Sequence, residues 1–345
     1  MITKVGLDLG YANITLSDVT AGIYREPSIA LVDKDTRRIV SVGDAAISGG
    51  DDSDINIENS LLVRPFKNGL LFDHEITKGV IEHAVKAVMP ADRIRCVVGV
   101  PSDFLPKQEK ELFGMMNELG VSECYFVNRA VAALIGAGYS PSMSAISVNI
   151  GAASTEIAVV YNGDIIYSTR SSVGGEDFDK AVKQYILEQG DVNVSLSVAR
   201  AIKEKLGAVW KGREESSVDI EGTLSLTGNR VRMNITDEDV VGVFEKVLHK
   251  LLLSVADAVK KIPIEKVEEI FSNGIILSGG GAQLFGLDIM MSKVLGVTVT
   301  EPDFPIDCVA KGLSRINAFM PMRMRSSCKN ITSSLTKYYE MKKSS

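Results

Sequence analysis

The sequence predicts an α/β protein of two similar lobes facing each other across a cleft, and three observations predict it. First, "KVGLDLGYANITLS" near the start and "SVNIGAASTEIAVV" at 147–160 share one build: apolar strand, polar residue, glycine turn, second strand. Second, the two stretches form an internal repeat at an offset of 141 residues, in which Asp8, Gly10 and Gly22 correspond to Asn149, Gly151 and Gly163. Third, each copy is followed by segments whose apolar residues recur at three- and four-residue steps, the spacing of helices that bury one face. A duplicated strand unit followed by such helices folds as two like lobes.

The elements follow in order. Each copy reads as strand, tight turn, strand, second turn, strand. In "AVVYNGDIIYS" the Asn162-Gly163 pair between apolar runs predicts a hairpin. Helical stripes in the first half are "ITKGVIEHAVKAVM" and "QEKELFGMMNEL"; in the second they are "EDFDKAVKQYIL" and "DEDVVGVFEKVLHKLLLSVADAV". "CVVGVP" and "GIILSGGG" read as buried strands running into loops. The run "DDSDINIEN" at 51–59 reads as a polar surface loop or part of a small insertion.

Composition narrows the function. At 345 residues with 24% charged and 45% apolar residues, the chain is an ordinary globular one, long enough for two lobes. A net charge of -6 argues against sequence-independent nucleic-acid binding, which needs concentrated Lys and Arg. Cys96, Cys124, Cys308 and Cys328 lie far apart without a CxxC pair, as reduced core thiols of a cytoplasmic protein do. His74, His83 and His249 are equally scattered, which disfavours a histidine metal cluster. The N-terminus starts directly in a strand with no signal-peptide pattern, and no stretch reaches membrane-spanning length. From Phe319 the chain turns Ser-rich and basic, which reads as a solvated terminus. Met320, Met322 and Met324 alternate there with Arg323 and Arg325, a pattern that also fits contact with an anionic surface.

The chemistry lies in the glycine turns. Such a turn leaves backbone N–H groups bare and concave, which suits phosphate oxygens. Two facing turns clamp a polyphosphate, and an acid at a strand end such as Asp8 holds Mg2+ through its water shell. In the third element a strand runs into Gly279-Gly280-Gly281 and then a helix closed by Gly296, which lets the backbone approach a base or ribose. Neither a Rossmann fingerprint nor a Walker A sequence occurs.

In this order the motifs resemble the actin-like ATPase superfamily, and most closely its bacterial rod-shape-determining MreB/Mbl group. "GLDLGYANI", "VRPFKNGLLFD", "VVGVPSDFLPKQEKEL", "AVAALIGAG", "SVGGEDFDKAV", "AIKEKLG", "GIILSGGGAQLFGLD" and "CVAKGLSRI" all fall in family order. The resemblance implies an actin-like, duplicated ribonuclease H-like fold with a nucleotide cleft. The first lobe would span 1–141, with a small insertion around 30–62, and be closed by a helix at 306–320. The second would span 142–315, and the tail 321–345 would be flexible. It also implies ATP and Mg2+ as cofactors, self-association into filaments, and work with cell-wall elongation or envelope proteins. The expected location is the cytoplasm, at the inner face of the plasma membrane. The membrane loop of relatives corresponds here to "VMPADRIRC", which is only mildly apolar, so peripheral contact would run through the basic tail or a partner.

Carried over one by one, the site residues give a mixed picture. The first phosphate loop becomes Asp8, Gly10, Tyr11, Ala12 and Asn13, with both of the family's threonines replaced. In the second, Asn149 takes the place of an acid, and Gly151, Ala152 and Ala153 that of three glycines. Ser154, Thr155 and Glu156 follow where the family has Thr-Thr-Glu. Arg129 aligns with the glutamate that orients the attacking water. Arg200 falls where a glutamate near the ribose is expected, while Lys203 is kept, as are Gly279, Gly280, Gly281 and Ala282. The two alanines predict crowding of a backbone that touches phosphate, and strain wherever φ must be positive. Replacing an acid with Arg129 removes the acceptor that positions water against the γ-phosphate. The expectation is therefore a filament-forming, ATP-binding protein with weak or absent hydrolysis. The alternative is a non-hydrolysing scaffold or regulator of envelope or division partners.

Overall fold

The computed structural model describes residues 2–20, 22–48, 59–67, 70–87, 93–210, 216–321 and 328–343. Its two principal sheets repeat one plan. In the first lobe the strand order is Cys328–Asn330, Val121–Asn128, Arg93–Val100, Ile2–Leu9, Asn13–Asp18, Gly22–Pro27. In the second it is Val299–Thr300, Ile275–Ser278, Ala145–Ile150, Thr155–Tyr161, Asp164–Ser171. Each is an antiparallel three-strand meander whose first strand also pairs in parallel with a later one. The repeat extends to register: Asp8 faces Thr15 and Leu9 faces Ile14, just as Asn149 faces Glu156 and Ile150 faces Thr155. The predicted hairpin is present, with Asn162 and Gly163 both at positive φ, as a two-residue turn matched to strand twist requires.

Apolar alternation builds a core in each lobe. Val5, Leu7 and Leu9 pack with Ile81 and Phe126 in the first, and Ile146, Val148 and Ile150 with Val182 and Leu251 in the second. A third cluster, including Ala132, Ile135, Ala145, Leu313 and Ile316, lies between them. It is built on two helices, Arg129–Gly136 and Cys308–Phe319. They cross so closely that a Cβ on Gly136 would overlap the Cys308 carbonyl, and one on Gly312 the Ala132 carbonyl. The later helix lies on the first lobe's sheet, where Asn317 donates to the carbonyls of Val5 and Arg95 at 2.9 and 3.0 Å.

Several elements differ from the sequence reading. The insertion folds as its own three-stranded sheet, Ile39–Val42, Ala30–Asp33 and Ser60–Val63. Most of the polar run 51–59 lies outside the described residues, as do 88–92 of the candidate membrane loop. The stretch from Asp237 is two helices, Asp237–Val241 and Glu245–Val259, parted around Gly242. A second small sheet of Val192–Asn193, Ser217–Leu224 and Arg230–Thr236 has no counterpart in the sequence reading.

The tail read as flexible is packed over 328–343. Ile331 and Leu335 are buried in the inter-lobe cluster, and Tyr339 stacks edge-on against Phe319. Met320, read as a candidate surface residue, is also buried there; Met322 to Arg325 lie outside the described residues. Among the described residues no helix is long and apolar enough to cross a membrane.

A cleft between two glycine turns

Both glycine turns open onto one cavity of about 610 Å3, within the range of small-molecule sites, about 300–1,000 Å3. Gly10 to Asn13 line it from the first lobe, Gly151 to Ser154 from the second, and Gly279 to Gly281 from the loop after Ile275–Ser278. Asp8, Asn149, Arg129, Arg200 and Lys203 line it too. Of the residues picked from sequence, Ala282 is placed elsewhere, fully buried in the second lobe's core, and so is Thr155, buried with its hydroxyl on Val173 O.

Local chemistry explains each turn. A Cβ on Gly10 would stand 2.5 Å from the Asn13 carbonyl oxygen. In the second turn the Gly151 N–H donates to Ser154 O at 2.9 Å. Ala152 and Ala153 are not among the residues with positive φ, so the strain expected of them does not arise. Glycine is instead required next door: a Cβ on Gly174 would lie 2.5 Å from Ser154 N. In the third element Gly279 needs its φ of +85°, Gly281 leaves room for the Ile150 side chain, and a Cβ on Gly280 would meet only the Ile306 side chain, at 3.8 Å. A short 3-10 turn, Gly280–Gln283, follows, and the helix expected directly after the glycines begins only at Leu287.

Arg129 is the first residue of its helix. The Asn128 side chain caps that helix, accepting from Ala130 N at 2.9 Å and Val131 N at 3.3 Å. The arginine reaches the first turn: its Nε lies 3.0 Å from Asp8 Oδ1, and its Nη2 donates to Leu9 O. The Nε–Oδ1 contact is close but poorly aligned. Both atoms are buried and make no hydrogen bond of good geometry. Burial pushes the Asp8 carboxyl above the usual range, and the Arg129 and Arg25 guanidiniums pull against that shift.

The second turn keeps its acid on the opposite strand. Glu156, across the ladder from Asn149, is 3% exposed and accepts from the first lobe's Ser102 N at 3.1 Å. Burial pushes its carboxyl up as well, against the pull of Arg129 and the Ser102 N–H. Nearby, Arg170 bonds Asp103 across the lobes at 2.6 Å. On the far wall Asp179 is fully buried and holds two cations: Lys203 Nζ at 2.6 Å from Oδ1 and Arg200 Nε at 3.1 Å from Oδ2. Lys203 also donates to Gly175 O at 3.2 Å. Tyr11, under the Arg64 guanidinium at 4.9 Å, has its hydroxyl pushed up by burial and by Glu176 of the other lobe.

Sequence reasoning picked out neither Asp179 nor Arg25 as a site residue. Asp179 had a signal: it shares an apolar stripe with Val182 and Ile186, and a carboxylate on a buried stripe needs a partner. The hydrated Mg2+ implied by the resemblance does not fit these residues. Asp8 is engaged by Arg129, the second acid is an amide, and among the described residues no cluster of three His, Cys, Asp or Glu could hold an ion.

Two lobes of one plan around such a cleft define a two-lobed actin-like fold. The chain belongs to the MreB/Mbl family: the family model for MreB/Mbl protein matches residues 2–324. It is 28% identical over 317 residues to the cell shape-determining protein Mbl of Bacillus cereus, covering 89% of this chain and 93% of that one. To the cell shape-determining protein MreB of Escherichia coli it is 27% identical over 320 residues, covering 89% and 91%. MreB 5 of Spiroplasma citri bound to AMPPNP has the same fold, with a TM-score of 0.83 at 23% identity over 90% of this chain and 95% of that one. A MamK double helical filament gives 0.78 at 22% identity, over 93% and 100%.

Proposed function

We propose that this protein is a cytoskeletal, filament-forming member of its family that holds ATP in the cleft and hydrolyses it weakly or not at all. The observation that carries this reading is the position of Arg129. An arginine bound to Asp8 and Leu9 O occupies the place from which an acid would orient water, beside two turns shaped for phosphate. Such a pocket grips charge through donors and lacks the acceptor that hydrolysis needs. The solved relatives support the ligand and the assembly. Spiroplasma citri MreB5 has been seen with AMPPNP and with ADP, and MamK as a double helical filament. Head-to-tail contacts between unlike faces of identical chains extend without closing, as a filament requires. The filament would organise cell-wall synthesis through envelope partners at the inner face of the membrane.

The test is sedimentation of the purified protein with and without ATP, with phosphate assayed in the same tube. Pelleting that depends on ATP, with little phosphate released, is the expected result. Rapid phosphate release would overturn the role given to Arg129. A second reading, a scaffold that does not polymerise, is favoured by Glu156–Ser102 and Arg170–Asp103, which tie the lobes directly to each other. Capture of envelope proteins without pelleting would select it.

A further inference from the structure

We infer that the cleft binds its nucleoside phosphate free of any divalent cation, with the Arg129 guanidinium standing where the ion would be. This rests on the nucleotide-binding reading above and specifies the chemical form of the ligand. A triphosphate carries several negative charges that a protein offsets in one of two ways. Acids can hold a hydrated cation against the phosphates, or the protein's own cations can meet the phosphates directly.

The residues on this cleft follow the second way. Arg129 is fixed at two points, by Asp8 and by Leu9 O, and its side chain is only 11% exposed. An ion bound through water to Asp8 would sit beside that guanidinium, and repulsion between fixed cations is strong where water is excluded. Asn149, at the matching place in the second lobe, contributes no charge to draw an ion in. The remaining acid of the second turn, Glu156, is turned onto Ser102 N.

The donors, in contrast, have capacity to spare. Arg129 turns Nε to Asp8 and donates from Nη2 to Leu9 O, while the residue still lines the cavity. A guanidinium carries five N–H donors in a planar fork that matches phosphate oxygens. On the opposite wall Arg200, a third exposed, adds a second guanidinium. The replacements at 129, 149 and 200 thus act in one direction. Each takes away negative charge that would attract a cation, and two of them supply positive charge in its stead.

The experiment is equilibrium titration calorimetry of ATP into the full-length protein, in excess magnesium chloride and in excess EDTA. The two dissociation constants are expected to agree within about threefold. In EDTA, Arg129→Gln should bind about tenfold more weakly than the unmodified protein, whereas Arg129→Glu should bind only with magnesium present. Binding by the unmodified protein that weakens about tenfold or more in EDTA would overturn the inference and leave the nucleotide reading standing. No binding in either buffer would overturn both. Circular dichroism melting checks that each variant is folded; should a variant fail, the magnesium–EDTA comparison on the unmodified protein decides alone.

Discussion

Arg129 Nε stands 3.0 Å from Asp8 Oδ1. Two residues far apart in the chain, each singled out by the resemblance, therefore meet at the first glycine turn. The departure at 129 and the acid kept at 8 form one arrangement. A carboxylate at 129 would stand near the Asp8 carboxylate, and two like charges sharing a site are offset either by a cation or by a shared proton. With arginine there, the pair is neutral as it stands.

Restoring both acids should restore turnover. In Arg129→Glu combined with Asn149→Asp, the water-orienting acceptor and the second carboxylate return together, and Asp8 is released. Positioned acid–base groups contribute about 100-fold or more to such reactions, so phosphate release with magnesium should rise at least about tenfold over the unmodified protein. A colorimetric phosphate assay on matched protein preparations measures it. An unchanged rate would mean that other features of the cleft set the barrier.

Glu156 predicts a pH dependence. Burial holds its folded-state pKa above the ordinary glutamate value of 4.5. The folded protein then binds this proton more tightly than the unfolded chain does. Stability accordingly falls as pH rises from the ordinary value to the raised one, and the penalty stays constant above it. Glu156→Gln removes the penalty and keeps an acceptor for Ser102 N. Its urea midpoint should exceed that of the unmodified protein near about pH 7.5, and the gap should close toward about pH 4. Equal midpoints at both pH values would show that burial of this carboxyl carries no cost.

What was legible in the sequence was local or periodic. The 141-residue offset between Asp8 and Asn149 predicted two like lobes, and the ladder register reproduces it pair for pair. The glycine turns were legible because their geometry is set within four residues. Whether Ala152 and Ala153 would be strained depended on the sign of φ, which composition does not give. Arg129 was recognised as a departure, but its reach to Asp8 depends on the parallel pairing of Ile2–Leu9 beside Arg93–Val100 and Val121–Asn128. The packed tail was hidden by its Ser and Lys content, although Leu335, Tyr338 and Tyr339 already had helical spacing.

The helix crossing between the lobes is a second point of sensitivity. Gly136 and Gly312 face each other's backbones with no room for a methyl group. Gly312→Ala must therefore push the helix Cys308–Phe319 away from Arg129–Gly136, and overpacking of this kind costs about 1–3 kcal/mol. Because Arg129 begins the helix on the other side of this crossing, nucleotide affinity should fall along with the denaturation midpoint. Loss of stability with affinity unchanged would separate the crossing from the site.

Lys203 and Arg200 both bind Asp179, and their exposure predicts unequal roles. The Lys203 side chain is 17% exposed and also bonds Gly175 O, while that of Arg200 is 33% exposed. Asp179 is 1% exposed, so removing its shorter contact leaves a charge that water does not reach. Breaking a buried pair from one side costs about 3–5 kcal/mol, and Lys203→Ala should approach that figure. Arg200→Ala leaves Lys203 in place and loses a contact open to solvent, so its cost should stay near 1 kcal/mol or below. Urea unfolding of the two variants without nucleotide measures the difference. Adding Asp179→Asn to Lys203→Ala should recover much of the loss, since the amide buries no charge. A double variant no more stable than Lys203→Ala would mean that the lysine acts through packing or its bond to Gly175 rather than by neutralising Asp179.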